Sequence, residues 1–283
     1  MKLVISEVVY SWDEAVLRTA LSSLSVSLSE AADVGELDTA ELWLSYNGKQ
    51  PLNERNANQL LVSVFDWPVR LLLNQPNLGY GGTNNLALQQ MFTEFGQNAG
   101  KICILVINPD VVLEANTITE SLGHLRNQPA CGLVCPVILD WQGRPDAMGH
   151  KRYPSLAVLA ARLLYMLFKL PPVHSLNERY EYRDMLPNTP LKNIELCSGC
   201  FMLGCFEYWQ QLGGFDGRFF MYFEDFDLSV RGRKRGWQNH YVPTAKIRHA
   251  GGGVGHKNWR HRLWFIRSAF RFFNRHGWQF WRV

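Results

Sequence analysis

Residues 102–110 read I-C-I-L-V-I-N-P-D. Ile102 to Ile107 form a continuous apolar run, the pattern of a strand buried on both faces of a sheet. Asn108-Pro109-Asp110 follows at once. A carboxylate at a strand's carboxyl end is well placed to hold a divalent cation, and Mg²⁺ and Mn²⁺ want oxygen ligands. The same three residues also favour a plain turn.

The chain around this stretch alternates strand and helix. Residues 2–10 read as a strand, and 12–29 carry helical spacing through Val16, Leu17, Ala20, Leu21, Leu24 and Leu28. Strands are expected at 41–46, 68–74 and 132–139, and helices at 84–95 and 115–127. This order predicts an α/β fold on a mostly parallel sheet. In such sheets ligands bind beyond the carboxyl ends of the strands. Residues 155–170 predict a helix apolar on most of its circumference, either in the core or at a membrane interface.

Composition excludes whole classes. With 283 residues, 47% hydrophobic and 19% charged, the chain supports a packed core and does not fit a disordered protein. No window reaches the roughly 18 uninterrupted apolar residues of a membrane-spanning helix. Glu7 interrupts the first apolar run, so no secretory signal is expected and a cytosolic location is the default. Six cysteines stand at 103, 131, 135, 197, 200 and 205. Cys197 and Cys200 form a C-x-x-C that reads as part of a buried strand, not a redox or metal pair.

The net charge of +4 hides an asymmetry. Residues 228–283 hold 13 Lys/Arg and no acid, against 16 Lys/Arg and 25 Asp/Glu in the rest. A basic tail on an acidic body points to an anionic surface or ligand.

Three further motifs carry chemistry. Asn77-Leu78-Gly79-Tyr80-Gly81-Gly82-Thr83-Asn84-Asn85 puts three glycines before a helix, where backbone N–H groups can face an anion. Residues 213–231, G-G-F-D-G-R-F-F-M-Y-F-E-D-F-D-L-S-V-R, cluster Glu224, Asp225 and Asp227 among aromatics. Acids there either open a helix or supply a general base, and Asp227 and Arg231 stand i, i+4 apart, spaced to pair. His249 matters only if it reaches a metal.

In order and spacing, these patterns resemble glycosyltransferase family 2. The family runs N-x-G-[FY]-[GA]-x-x-x-N, N-P-D, S-G-x-x-x-L, G-G-F-D-x-x-F-F-x-Y-x-E-D-x-D-L-x-x-R, then a His followed by glycines. All five occur across residues 77–253. Within the family, N-P-D, the F-F-M-Y-F-E-D-F-D-L stretch and the apolar 155–170 helix are most similar to bacterial O-antigen-type rhamnosyltransferases. Three positions depart from the pattern: Tyr46-Asn47-Gly48-Lys49 where Asp-Asn-Gly-Ser is usual, Asn108 in place of a first acid, and Cys205 in place of Arg.

The resemblance implies a GT-A fold over 1–255, with amphipathic helix following it. Asp110 and His249 would be the metal ligands for Mg²⁺ or Mn²⁺. Asn108, Asn47, Asn77, Gly79, Tyr80, Asn85 and Gly199 would shape the nucleotide-sugar site. Asp225 would deprotonate the acceptor, with Glu224 and Asp227 supporting it or binding acceptor. It further implies an inverting transfer of L-rhamnose from dTDP-L-rhamnose to a polyprenyl-diphosphate-linked saccharide. A UDP- or GDP-linked donor is the alternative, and a nucleotidyltransferase ranks lower.

Residues 256–283 interleave seven Lys/Arg with nine aromatics, the composition of an interfacial membrane helix. The alternatives are packing on the body and single-stranded nucleic-acid binding. No nucleic-acid module is visible, so membrane is favoured and the expected location is peripheral, on the inner face of the bacterial inner membrane.

Overall fold

The computed structural model describes residues 1–96, 99–145, 149–168, 178–185, 188–249 and 259–280. Helix α1 (Glu14–Asp33) starts where the Asp13 carboxylate accepts from the backbone N–H groups of Ala15 and Val16, and its apolar stripe from Leu17 to Leu28 is buried. It follows strand β1 (Lys2–Val9) and precedes strand β2 (Thr39–Tyr46) in the chain. Helix α2 (Glu54–Val64), capped by Asn53, was not anticipated. It buries only Ala57, Leu60 and Leu61, so its apolar signal is faint. Strand β3 (Val69–Leu72) follows.

Helix α3 runs Gly79–Phe95, beginning five residues before the expected start at Asn84. The glycines thus form its first turn, not a loop. Asn77 Oδ1 accepts from the Gly79 N–H at 3.1 Å, which supports that early start. Strand β4 (Ile102–Ile107) is buried at all six positions, as expected. The next elements are β5 (Val111–Leu113), α4 (Thr117–Asn127), β6 (Cys131–Leu139), β7 (His150–Lys151) and α5 (Leu156–Phe168). They are followed by β8 (Leu196–Cys197), β9 (Phe201–Cys205), α6 (Phe206–Leu212), α7 (Glu224–Lys234), β10 (Gln238–His249) and α8 (Trp259–His276).

Eight strands form one sheet in the order β3-β2-β1-β4-β9-β6-β10-β5. Strands β3, β2, β1 and β4 are mutually parallel. Strand β9 is inserted antiparallel between β4 and β6, and β5 runs antiparallel along β10. One sheet face packs on α1, α2 and α4, the other on α3 and α6. A separate aromatic cluster of Phe219, Phe223, Phe272 and Phe273 joins α7 to α8.

The register aligns Val9 with Tyr46, and Glu7 with Ile107. The carboxyl ends of β1, β2 and β4 therefore open onto one place, where Asn47 and Asn108 to Asp110 stand. In α5, Val158 is buried and Leu164 is exposed. Among the described residues no helix is long and apolar enough to cross a membrane.

Candidate active site

The site assembles around the turn Ser198-Gly199-Cys200. On one side, Asn108 N–H donates to the Cys200 carbonyl at 3.0 Å, seating the end of β4 against the turn. On the other, Gly199 N–H donates to Asp225 Oδ2 at 2.9 Å. Helix α7 is fixed there twice more: Ser229 Oγ donates to the Asp225 carbonyl at 2.8 Å and accepts from Cys197 N–H at 3.1 Å. A third side comes from α3, whose Tyr80 hydroxyl donates to the Gly199 carbonyl at 2.5 Å. The buried Cys200 thiol feels the charges of both Asp110 and Asp225. Cys197 and Cys200 are thus buried parts of the scaffold, and all six thiols are free.

Asp110 meets His249 because β10 runs antiparallel to β5, pairing His249 with Val111. His249 Nε2 lies 3.3 Å from Asp110 Oδ1. A carboxylate oxygen and an imidazole nitrogen at that spacing can face one small cation. His249 Nδ1 is buried and has no hydrogen-bond partner among the described residues. These residues fit a divalent ion. The glycines that follow His249 lie outside the described residues.

Glu7 stands behind this pair, and the sequence did not single it out beyond its break in an apolar run. It is 2% exposed, and its Oε1 has no hydrogen-bond partner among the described residues. Burial, reinforced by the charge of Asp110, raises its carboxyl to about 8. The signal for it in the sequence is an acid in the middle of a strand whose neighbouring residues, Leu3 to Val9, are apolar or small.

The acids of α7 divide into different roles. Tyr222 and Phe223 both hold left-handed backbone, with φ of 70° and 65°. Such conformations cost non-glycine residues of order 1–3 kcal/mol each and cluster at functional sites. Here they turn the chain so that α7 begins directly at Glu224. Asp225 is half-buried, with its oxygens receiving the N–H groups of Gly199 and Phe226. Glu224 is buried, and its Oε2 has no partner among the described residues. Burial raises both carboxyls; the Asp225 charge lifts Glu224 further, while the two N–H donors and Lys151 hold Asp225 back. Asp225 is therefore the more readily ionised of the two.

Asp227 lies two positions on, about 200° around the helix. It is fully buried, with Arg231 Nε at 2.6 Å and His276 Nε2 at 2.8 Å. Arg231 also donates to the carbonyls of Leu212 and Gly214. The pairing expected from the i, i+4 spacing is present, and it anchors α7 to α8 and to the Gly213-Gly214 turn. Both Asp227 oxygens are taken up by that anchor.

The asparagines also separate. Asn85 clamps Phe215, accepting from its N–H and donating to its carbonyl, both at 2.8 Å. Asn47 is buried and donates to Thr83 Oγ1 at 3.0 Å, leaving its Oδ1 with no partner among the described residues. Asn77 is exposed and accepts from the Gly79 N–H ahead of α3. Gly79 has φ of 81°, and a Cβ there would run into the Phe220 carbonyl, so only glycine lets α3 approach the 213–231 segment. Gly199 is similarly close: a Cβ would sit 3.2 Å from that of Asp225.

Two carboxylate centres thus meet at one turn at the carboxyl end of an α/β sheet, the place where such sheets bind their ligands. A model of the family described as glycosyltransferase like family 2 matches residues 47–265. The chain belongs to this glycosyltransferase family. It is 33% identical over 187 residues to the N-acetylglucosaminyl-diphospho-decaprenol L-rhamnosyltransferase of Mycobacterium tuberculosis, covering 64% of this chain and 58% of that one. The chain thus spans little more than half the length of that relative. It is 24% identical over 203 residues to rhamnosyltransferase WbbL of Escherichia coli, covering 70% of each.

Solved structures agree on the GT-A fold. GalNAc-T7 with UDP, GalNAc and Mn²⁺ superposes with a TM-score of 0.58 at 14% identity, over 88% of this chain and 43% of that one. Staphylococcus aureus TarS superposes with a TM-score of 0.53 at 13% identity, over 98% and 43%.

Proposed function

We propose that this chain transfers L-rhamnose from dTDP-L-rhamnose to a lipid-linked saccharide acceptor, with inversion at the anomeric carbon. The observation that carries the chemistry is the meeting of Asp225 and of Asp110, paired with His249, at the one Ser198–Cys200 turn, where the Cys200 thiol feels both carboxylates. The two rhamnosyltransferase relatives support the sugar, and the mycobacterial relative's name supports a polyprenyl-diphosphate-linked acceptor.

Asp110 and His249, with Asn108 beside them, would hold a Mg²⁺ or Mn²⁺ ion. That ion supplies positive charge to the departing diphosphate when bound. Asp225 takes the proton of the acceptor hydroxyl as its oxygen bonds to the anomeric carbon and the bond to the diphosphate oxygen breaks. Gly199 and Phe226 hold the carboxylate in place for that transfer. Glu224, buried and raised, stays protonated and keeps a second negative charge away from the base. A single displacement needs one base and no covalent nucleophile, which fits inversion.

The outer face of α8 supports a peripheral place on an anionic membrane, on the cytosolic side where the nucleotide sugar is. Trp259, Leu263, Ile266 and Phe270 recur along that face and are exposed, Ile266 by 52% and Phe270 by 56%. Arg267 and Arg271 flank them. Phe272 and Phe273, on the inner face, are fully buried. The helix therefore packs on the body and still presents an apolar, basic surface.

A thermal-shift panel of nucleoside diphosphates and sugar nucleotides, with and without Mg²⁺ or Mn²⁺, tests the donor, followed by transfer to a polyprenyl-diphosphate saccharide. A metal-dependent rise with dTDP and dTDP-rhamnose, and product only from the latter, is expected. A rise with UDP or GDP alone replaces the donor, and release of pyrophosphate from a nucleoside triphosphate replaces the reaction by nucleotidyl transfer.

A further inference from the structure

At the amino ends of β6 and β10, opposite the end that forms the cleft, three side chains converge that the transfer chemistry does not use. His124 comes from α4, Cys131 opens β6, and His240 lies near the start of β10. Nε2 of His124 is 2.8 Å from Nδ1 of His240. The ligand atoms of His124, Cys131 and His240 all lie within 4.8 Å of one another. Cys131 and His240 are buried, and His124 is half-buried.

The far side of His240 fixes its protonation. Its Nε2 stands 2.9 Å from the side-chain oxygen of Gln238. That oxygen only accepts, so Nε2 carries the proton and Nδ1 turns its lone pair into the cluster. An outer partner that sets the imidazole tautomer in this way is a regular feature of metal-binding histidines. The Lys192 ammonium is engaged by the Gln128 side-chain oxygen at 3.0 Å. The Cys131 Sγ stands 3.4 Å from the Leu133 carbonyl.

We infer that His124, Cys131 and His240 form a zinc-class metal site, with two imidazole nitrogens and one sulfur as ligands and a fourth position open to water. Two nitrogens and a sulfur suit Zn²⁺ and disfavour the oxygen-seeking Mg²⁺ and Mn²⁺ of the cleft. On binding, the Cys131 S–H bond breaks, its proton leaves to solvent and the sulfur bonds the ion. His124 moves its proton from Nε2 to Nδ1 and offers Nε2. The net change is one proton released per ion. The ion would tie α4 to β6 and β10, far from the reacting groups.

The test uses the full chain, stripped with a chelator, and Zn²⁺ and Co²⁺ as probes. One Zn²⁺ per chain is expected, measured by competition with a chromophoric chelator. Co²⁺ should give a thiolate charge-transfer band in the near ultraviolet. Cys131→Ser should abolish that band, and His124→Gln, at a half-buried position, should weaken Zn²⁺ by about tenfold or more. Asp110→Asn should leave both signals in place. Absence of the band in the intact chain overturns the site, as does unchanged Zn²⁺ affinity in both variants. Loss of Zn²⁺ in Asp110→Asn also overturns it, because the ion is then in the cleft.

Discussion

The backbone N–H of Gly199 donates to Asp225 Oδ2 at 2.9 Å, joining two motifs that are 26 residues apart. The bond aims one carboxylate oxygen at the turn and fixes the rotamer of the whole group. Tyr80, Asn108 and Ser229 brace the same turn, so the carboxylate is placed by three separate elements.

Replacing Asp225 by Asn keeps the shape and the hydrogen-bond acceptor and removes the proposed base. Transfer should fall by roughly 10²- to 10⁴-fold, while nucleotide binding and thermal stability hold. The carboxyl is raised by burial, and a base works only when ionised. The acidic limb of the rate profile should therefore lie above the ordinary aspartate range, with transfer rising as pH increases. Full activity in the variant would remove Asp225 from the chemistry.

Asp227 predicts the opposite outcome. Its carboxylate is fully buried between Arg231 and His276. Asp227→Asn leaves the Arg231 charge without its partner and should cost about 3–5 kcal/mol of stability, read by urea unfolding. Transfer per folded molecule should change little. A variant as stable as the parent but inactive would give Asp227 a place in the reaction instead.

Glu7 gives a pH-dependent signature. Its carboxyl is raised to about 8 by burial and the charge of Asp110. The folded state therefore holds this proton where the unfolded chain has lost it. Stability from this group is present below about pH 4.5 and lost as pH rises toward 8, with a slope of up to about 1.4 kcal/mol per pH unit. Glu7→Gln should flatten that decline between pH 5 and 8. Identical slopes for parent and variant in equilibrium unfolding would show that Glu7 titrates normally.

The outer face of α8 should govern attachment to anionic vesicles. Ile266→Glu with Phe270→Glu removes two apolar side chains worth about 1.5–3 kcal/mol each when buried, so cosedimentation should weaken at least roughly tenfold. Both positions are exposed, so melting temperature should hold. Added salt should weaken binding of the parent chain as well. Equal cosedimentation of parent and variant would assign the contact to another surface, α5 being the next to test.

The sequence alone determined what depends on local pattern. The buried run of β4 and the N-P-D after it were legible because a two-sided strand needs continuous apolar residues and leaves its polar ones for the end. The stripe of α1 and the Asp227–Arg231 spacing were legible for the same reason, as helical periodicity. Tertiary structure decided what depends on which strands become neighbours. Antiparallel β9 between β4 and β6 carries the Gly199 turn to Asp225, and β10 beside β5 brings His249 to Asp110. No local propensity encodes either meeting. Pairing register likewise buried Glu7 behind Asp110 and gathered His124, Cys131 and His240 from three elements. The glycines at 79–82 read as a loop because glycine weakens an isolated helix; packing against Phe215 and Phe220, where a Cβ would clash, made them its first turn. Asp225 and Asp227 looked alike in sequence, and the helix turn between them sent one to the cleft and the other to an internal ion pair.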